Sequence, residues 1–124
     1  MIALYKHGMS LLVAALLASF GALGVAQAAD EVTIEVVVSK PKAGVSLEAL
    51  LAADKDMEQQ SVVRQKGFID RSVGVSKDGL VVVIARWSSL EDAEAAAVAI
   101  RANPAAKKRT DLSEVILLKE FAKK

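Results

Sequence analysis

The sequence predicts an α+β fold: a four-stranded antiparallel sheet and two helices in the ferredoxin-like order β-α-β-β-α-β. Three features predict it. A β-branched run, Val32-Thr33-Ile34-Glu35-Val36-Val37-Val38-Ser39, opens the folded part. The Asp78-Gly79 dipeptide joins two further strand patterns, because glycine supplies the positive φ that a tight hairpin needs. Helix-periodic segments starting at serine caps separate this hairpin from the first and last strands.

Taken in order, Pro41 and Gly44 break the first strand. Ser46 then caps a helix, with Glu48 in its first turn, where the helix dipole favours an acid. Leu47, Leu50, Leu51 and Met57 make the apolar stripe, Asp54 and Glu58 share its spacing, and the pattern extends to Gln65 before Gly67 ends it. Phe68–Ser76 and Leu80–Trp87 are the hairpin strands. Ser88 or Ser89 caps the second helix, with Glu91 and Asp92 placed to close a capping box. Leu90, Ala93, Ala97, Ile100 and Arg101 mark that helix, and Asn103-Pro104 stops it. Ala105–Asp111 reads as a turn of helix, and Glu114–Phe121 as the last strand. Leu80–Ala85 and Val115–Leu118 are apolar on both alternations, so both sides of the sheet need cover. Two helices cover one side, and a second copy of the chain is expected to cover the other.

Residues 1–28 stand apart as a signal peptide. Lys6 and His7 form a short basic start, Met9–Val25 is apolar, and Ala26-Gln27-Ala28 is a small-x-small cleavage site. A retained membrane anchor is the alternative, because the apolar run approaches the length of a span. Cleavage predicts a periplasmic protein that leaves the membrane. Removing these 28 residues from 124 leaves 96, one domain over residues 29–124. Lys6 is the only charged residue in the leader, so the remainder holds fifteen basic and fifteen acidic side chains. That balance offers no electrostatic attraction for nucleic acid. The chain has no cysteine, so no disulfide staples this small domain, and self-association is a natural way to enlarge its core.

The block from Gly67-Phe68-Ile69-Asp70-Arg71-Ser72 through Lys77-Asp78-Gly79 to Trp87 and Ser88-Ser89-Leu90-Glu91-Asp92-Ala93-Glu94-Ala95 resembles the antibiotic-biosynthesis-monooxygenase-like family of small dimeric α+β barrels. The resemblance implies a homodimer and a pocket between sheet and helices, lined by the tryptophan at the strand end. It also implies cofactor-independent oxidation of a small aromatic or quinol-like compound. The competing class is a non-catalytic ligand-binding or stress-related module. Haem-degrading members of the family use a histidine about ten residues after that tryptophan and an asparagine on the first strand. Here the first position falls at Ala97, and Thr33–Ser39 holds no asparagine, so a haem role is not expected.

The only histidine, His7, lies in the leader and the chain has no cysteine, which removes imidazole and thiolate chemistry from the mature chain. Neither a cofactor nor a metal is expected. Trp87 is the leading ligand-binding candidate, although a lone aromatic at a strand end also serves as core. Phe68, Asp70 and Ser72 alternate together, and Phe68, Asp70 and Arg86 join Trp87 as candidate ligand-binding residues, for a small apolar or aromatic compound. Arg71 and Arg86 are pocket candidates by the resemblance, but edge or interface salt-bridge residues are the favoured reading for both. Glu35 and Asp70 are acids inside apolar strands. Each is either a raised-pKa base in a pocket or the partner of Arg71, Arg86 or Lys119. Lys107-Lys108-Arg109 reads as a solvated loop.

Overall fold

The computed structural model describes residues 31–124, so the leader expected at residues 1–28 lies outside the described part. The elements are β1 (Thr33–Pro41), α1 (Leu47–Gln60), a 3-10 turn (Val62–Arg64), β2 (Phe68–Val75), β3 (Val81–Trp87), α2 (Leu90–Arg101), α3 (Pro104–Asp111) and β4 (Ser113–Ala122). All strand pairs are antiparallel and the sheet order is β2-β3-β1-β4. This is the ferredoxin-like arrangement that the sequence predicts.

Local chemistry sets the element ends. Ser46 Oγ accepts from the Ala49 amide at 3.1 Å and starts α1. Ser89, rather than Ser88, caps α2 by accepting from the Asp92 amide at 3.0 Å. Ser88 instead donates to the Asp92 carboxylate at 2.8 Å. The first helix stops at Gln60, short of the predicted Gln65, because Ser61 leaves helical geometry and a 3-10 turn follows. The short segment after α2 is a full eight-residue helix, with Asn103 accepting from the Ala105 amide and Pro104 opening the first turn. Gly67 has φ +84, and a Cβ there would sit 2.5 Å from the Asp92 side chain, so this corner admits only glycine.

The strand register arranges the sheet in rows. Phe68, Trp87, Thr33 and Ala122 make one row across β2, β3, β1 and β4; Arg71, Ala85, Glu35 and Glu120 make the next. Val73, Val83, Val37 and Leu118 make a third. These rows face the helices. Val81, Val83, Ala85 and Trp87 are buried along β3, while the alternate residues Val82, Ile84 and Arg86 are not. Two core clusters form between sheet and helices: Leu50, Val81 and Val83 in one, Val62, Ala85, Trp87, Ala93 and Ala96 in the other.

The opposite face carries Ile34, Val36, Val38, Val82, Ile84, Leu117 and Phe121, as the paired registers require. Ile84 is 44% exposed and Phe121 48% exposed. The chain's own helices leave this apolar face open. Among the described residues, no helix is long and apolar enough to cross a membrane.

Candidate functional site

The helix-covered face carries acidic side chains among its apolar ones. Glu35 on β1 and Glu120 on β4 are direct cross-strand partners, and both point toward the helices. Glu94, buried on α2, adds a third carboxyl from above, and its charge acts on Glu120. Both Glu120 oxygens are buried without a hydrogen-bond partner. Burial pushes the Glu120 pKa up to about 7, with the charges of Glu35 and Glu94 adding to the effect. Burial raises the Glu35 pKa as well, opposed by the Trp87 indole N–H and by the charge of Arg71. Like charges placed opposite one another on a sheet repel, which favours one proton held between the two carboxyls.

Trp87 lies in the neighbouring row on β3 and is 1% exposed. Its ring meets Phe68 edge-on, with centroids 5.6 Å apart and planes at 74°. Its Nε1–H is directed at Glu35 and eases ionisation there, yet Nε1 has no acceptor in hydrogen-bonding geometry. A buried donor and a buried carboxylate, both unsatisfied, thus lie in adjacent rows of one face. Such groups carry a desolvation cost of several kcal/mol unless something binds them. Among the described residues, no group of three acidic side chains is gathered as a metal ion would need.

Next to these groups the charges are fully matched. Asp54 on α1 takes two hydrogen bonds from Arg71, both 2.8 Å, and one from Arg109 Nε at 2.8 Å. Arg109 also donates to Ser113 Oγ at 3.1 Å and Ser39 Oγ at 3.0 Å, while Arg71 lies 3.6 Å from Glu58. Burial pushes the Asp54 pKa up, but the hydrogen bonds and charges of Arg71 and Arg109 outweigh it and hold the carboxyl below its usual range. This network ties α1, α3 and three strands together. It also engages both arginines, Arg71 through two hydrogen bonds and Arg109 through three.

The sequence-predicted candidates divide between the two faces. Trp87 and Phe68 come together on the helix side. Asp70 and Ser72 do not share that face with Phe68: a register shift between Phe68 and Asp70 turns the strand over and brings Arg71 inward instead. Asp70 lies outward and accepts from Arg86 Nε at 2.8 Å, with a second contact between Oδ2 and Arg86 Nη2. The Arg86 hydrogen bonds hold the Asp70 pKa down. For Asp70 the ion-pair alternative is therefore the one realised. For Glu35 it is not, because the Arg71 hydrogen bonds go to Asp54. Arg109 is 6% exposed on α3, contrary to a solvated-loop assignment, because Asp54 draws it inward. Sequence reasoning missed Glu120 and Glu94. Glu120 had a signal: it alternates with Leu118 in the last strand and meets Glu35 once the outer strands are paired.

The sheet order and helix placement define a ferredoxin-like α+β protein with an acidic pair, Glu35 and Glu120, beside Trp87 between its layers. Solved structures with this fold include SnoaB, a cofactor-independent oxygenase from Streptomyces nogalater, at TM-score 0.67 and 17% identity over 76% of this chain and 94% of that one. A candidate antibiotic biosynthesis monooxygenase from Nitrosomonas europaea matches at TM-score 0.59 and 16% identity, over 76% of this chain and 91% of that one. A candidate monooxygenase from Shewanella loihica matches at TM-score 0.60 and 16% identity, over 76% and 95%. At these identities the likeness is one of fold, and the fold is that of the antibiotic-biosynthesis-monooxygenase-like proteins. No protein-family model matches the chain, and no curated protein is significantly similar to it.

Proposed function

We propose that this protein is an exported, homodimeric, cofactor-independent monooxygenase acting on a small aromatic or quinol-like compound. The observation that carries the reading is the unpartnered Glu120 carboxyl beside Glu35 and Trp87, in a fold shared with an oxygenase that needs no cofactor. A carboxyl with a pKa of about 7 is matched to accepting a proton near neutrality. The Glu35–Glu120 pair takes the proton of an acidic O–H or activated C–H on the substrate. The resulting electron-rich anion is oxidised by dioxygen. At an activated ring methylene, one oxygen atom becomes the product carbonyl and the other leaves as water with the two hydrogens. Phe68 and Trp87 supply the apolar wall against the ring, and the Trp87 N–H orients an oxygen atom of the substrate. Asp70 and Arg86 lie on the far face and take no part in this site.

The open face around Ile84 and Phe121 is assigned to a second copy of the chain, whose own sheet matches it in size and apolarity. The leader assigns the protein to the periplasm.

Oxygen consumption with 1,4-naphthohydroquinone and with anthrone tests the chemistry. The protein should accelerate uptake above autoxidation, and Glu120→Gln should reduce the acceleration by about 100-fold or more, the usual worth of a general base. Uptake no faster than with heat-denatured protein, for both compounds, would leave the non-catalytic binding module as the better reading. The packing of Trp87 against Val62, Ala93 and Ala96 is the observation on that side.

A further inference from the structure

We propose that the Asp78–Gly79 bond at the tip of the β2–β3 hairpin is a site of spontaneous isomerisation to isoaspartate, and that the Ser76 hydroxyl holds the reaction back. The inference stands apart from the oxygenase reading and from the dimer.

The sequence supplies the reactive bond. Asp78 is the only aspartate in the chain that is followed by glycine. Glycine has no side chain to shield its amide nitrogen, so that nitrogen can reach the side-chain carbonyl carbon of the residue before it. In the reaction the Gly79 nitrogen bonds to Asp78 Cγ, and the carboxyl hydroxyl leaves as water with the amide proton. The product is a cyclic imide. Water then reopens the ring at one of its two carbonyls. Cleavage between Cγ and nitrogen restores aspartate. Cleavage between the original main-chain carbonyl and nitrogen leaves the chain running through Cγ, which is isoaspartate. Water is the only co-reactant, and the final mass is unchanged. The bond is accessible: Ser76, Lys77 and Asp78 are exposed, and a Cβ on Gly79 would meet nothing within 4 Å.

The native turn engages both reacting groups through one residue. The Gly79 N–H donates to the Ser76 carbonyl at 3.0 Å, and the Ser76 N–H donates to the Leu80 carbonyl at 2.9 Å. Gly79, at φ +85, gives the chain the bend these two bonds require. The Ser76 hydroxyl donates to Asp78 Oδ1. Its oxygen accepts from the Leu80 N–H at 2.9 Å, which leaves its own proton for the carboxylate. The Ser76 carbonyl thus holds the nucleophile and its hydroxyl holds the electrophile. The same hydroxyl favours the ionised carboxylate and lowers the Asp78 pKa. Ring closure proceeds from the protonated acid, whose hydroxyl is the leaving group, so this preference slows it further.

Isomerisation would reach beyond the turn. Isoaspartate adds a carbon to the main chain inside the loop that the two backbone bonds close. β2 is an edge strand paired only with β3, so opening the turn frees the end of β2 that carries Val73 and Val75.

Peptide mapping, with methyl transfer by an isoaspartyl methyltransferase as the second readout, follows the conversion in purified protein held at neutral pH. The folded protein should form isoaspartate at Asp78 more slowly than the same protein in urea, by about tenfold or more for two engaged groups. Ser76→Ala should speed the reaction in the folded protein by about 2- to 10-fold, the worth of one hydrogen bond, and leave the rate in urea unchanged. Ser76→Thr keeps the hydroxyl and should stay within about twofold of the wild-type rate. A wild-type rate equal in the folded and unfolded states would overturn the proposal. So would a Ser76→Ala rate equal to wild type, or a Ser76→Thr rate as fast as that of Ser76→Ala.

Discussion

Glu35 and Glu120 face one another across the β1–β4 ladder, on the side of the sheet that the helices cover. Two acids opposite each other in a small core oppose folding, and the chain surrounds them with valine, alanine and tryptophan rather than with arginine. Two buried arginines, Arg71 at the far end of the same row and Arg109 on α3, are bound to Asp54. The fold thus neutralises one acidic cluster and leaves the other for something else to neutralise, which is a reason to place function there.

The pH dependence of stability should show the unneutralised cluster. The Glu120 pKa rises from 4.5 in the unfolded chain to about 7 in the folded one. The folded protein holds the extra proton between these values, so the contribution of Glu120 to stability is full below pH 4.5 and is lost as pH rises through about 7. Glu35, also raised, acts in the same direction. Urea midpoints between pH 4.5 and pH 8 should decline, and Glu120→Gln should flatten the decline. An unchanged slope in that variant would place the titration elsewhere.

Asp54 should set the acid limit. Its pKa is held below 3.8, so it contributes stability above that pH and loses it as pH falls through the folded value. Asp54→Ala leaves two buried guanidiniums facing each other. Removing one partner of a buried pair costs about 3–5 kcal/mol, a large share of the stability of a domain this size. Equilibrium unfolding of the variant at neutral pH measures it; a loss under about 1 kcal/mol would mean that water reaches the arginines.

Much of this fold was legible because local rules agree. Serine caps, the Asp78-Gly79 turn and the Asn103-Pro104 stop each sit where the structure uses them. The site was legible only in part. Trp87 and Glu35 could be found by type and position. Asp70 was assigned to the wrong face because the register shift beside Phe68 leaves no mark in a period-two pattern. Glu120 needed long-range pairing, since 85 positions of chain separate it from Glu35 and only the sheet order brings them together. Arg109 was hidden for the same reason: its partner Asp54 lies 55 positions away.

The open apolar face predicts a dimer. Light scattering at micromolar concentration should give about twice the mass of the mature chain, and Ile84→Glu, which puts a charge in the centre of the face, should give a folded monomer. A wild-type protein that stays monomeric at those concentrations would remove the homodimer from the proposal.

Export predicts a mature protein that begins near Ala29. Mass spectrometry of the protein recovered from cells should show loss of the leader. An intact Met1 in the membrane fraction would assign residues 9–25 to an anchor instead.

Trp87 separates a structural role from a binding role. It is buried against Val62, Ala85, Ala93 and Ala96 with Phe68 at its edge, so removing the whole side chain should cost about 3–5 kcal/mol. Trp87→Phe is the more informative change, because phenylalanine keeps most of the apolar contact and loses the Nε1–H. That donor has no protein acceptor in hydrogen-bonding geometry, so its loss should cost the fold little beyond the volume removed, about 1–2 kcal/mol. If the donor holds a substrate oxygen, the same substitution should raise KM for the hydroquinone or lower kcat by about tenfold, the worth of one hydrogen bond to a bound group. Paired measurements of urea midpoint and oxygen uptake decide between the roles. A variant that loses 4 kcal/mol or more of stability, roughly the cost of full truncation, and keeps its activity when folded would make Trp87 a core residue and nothing more.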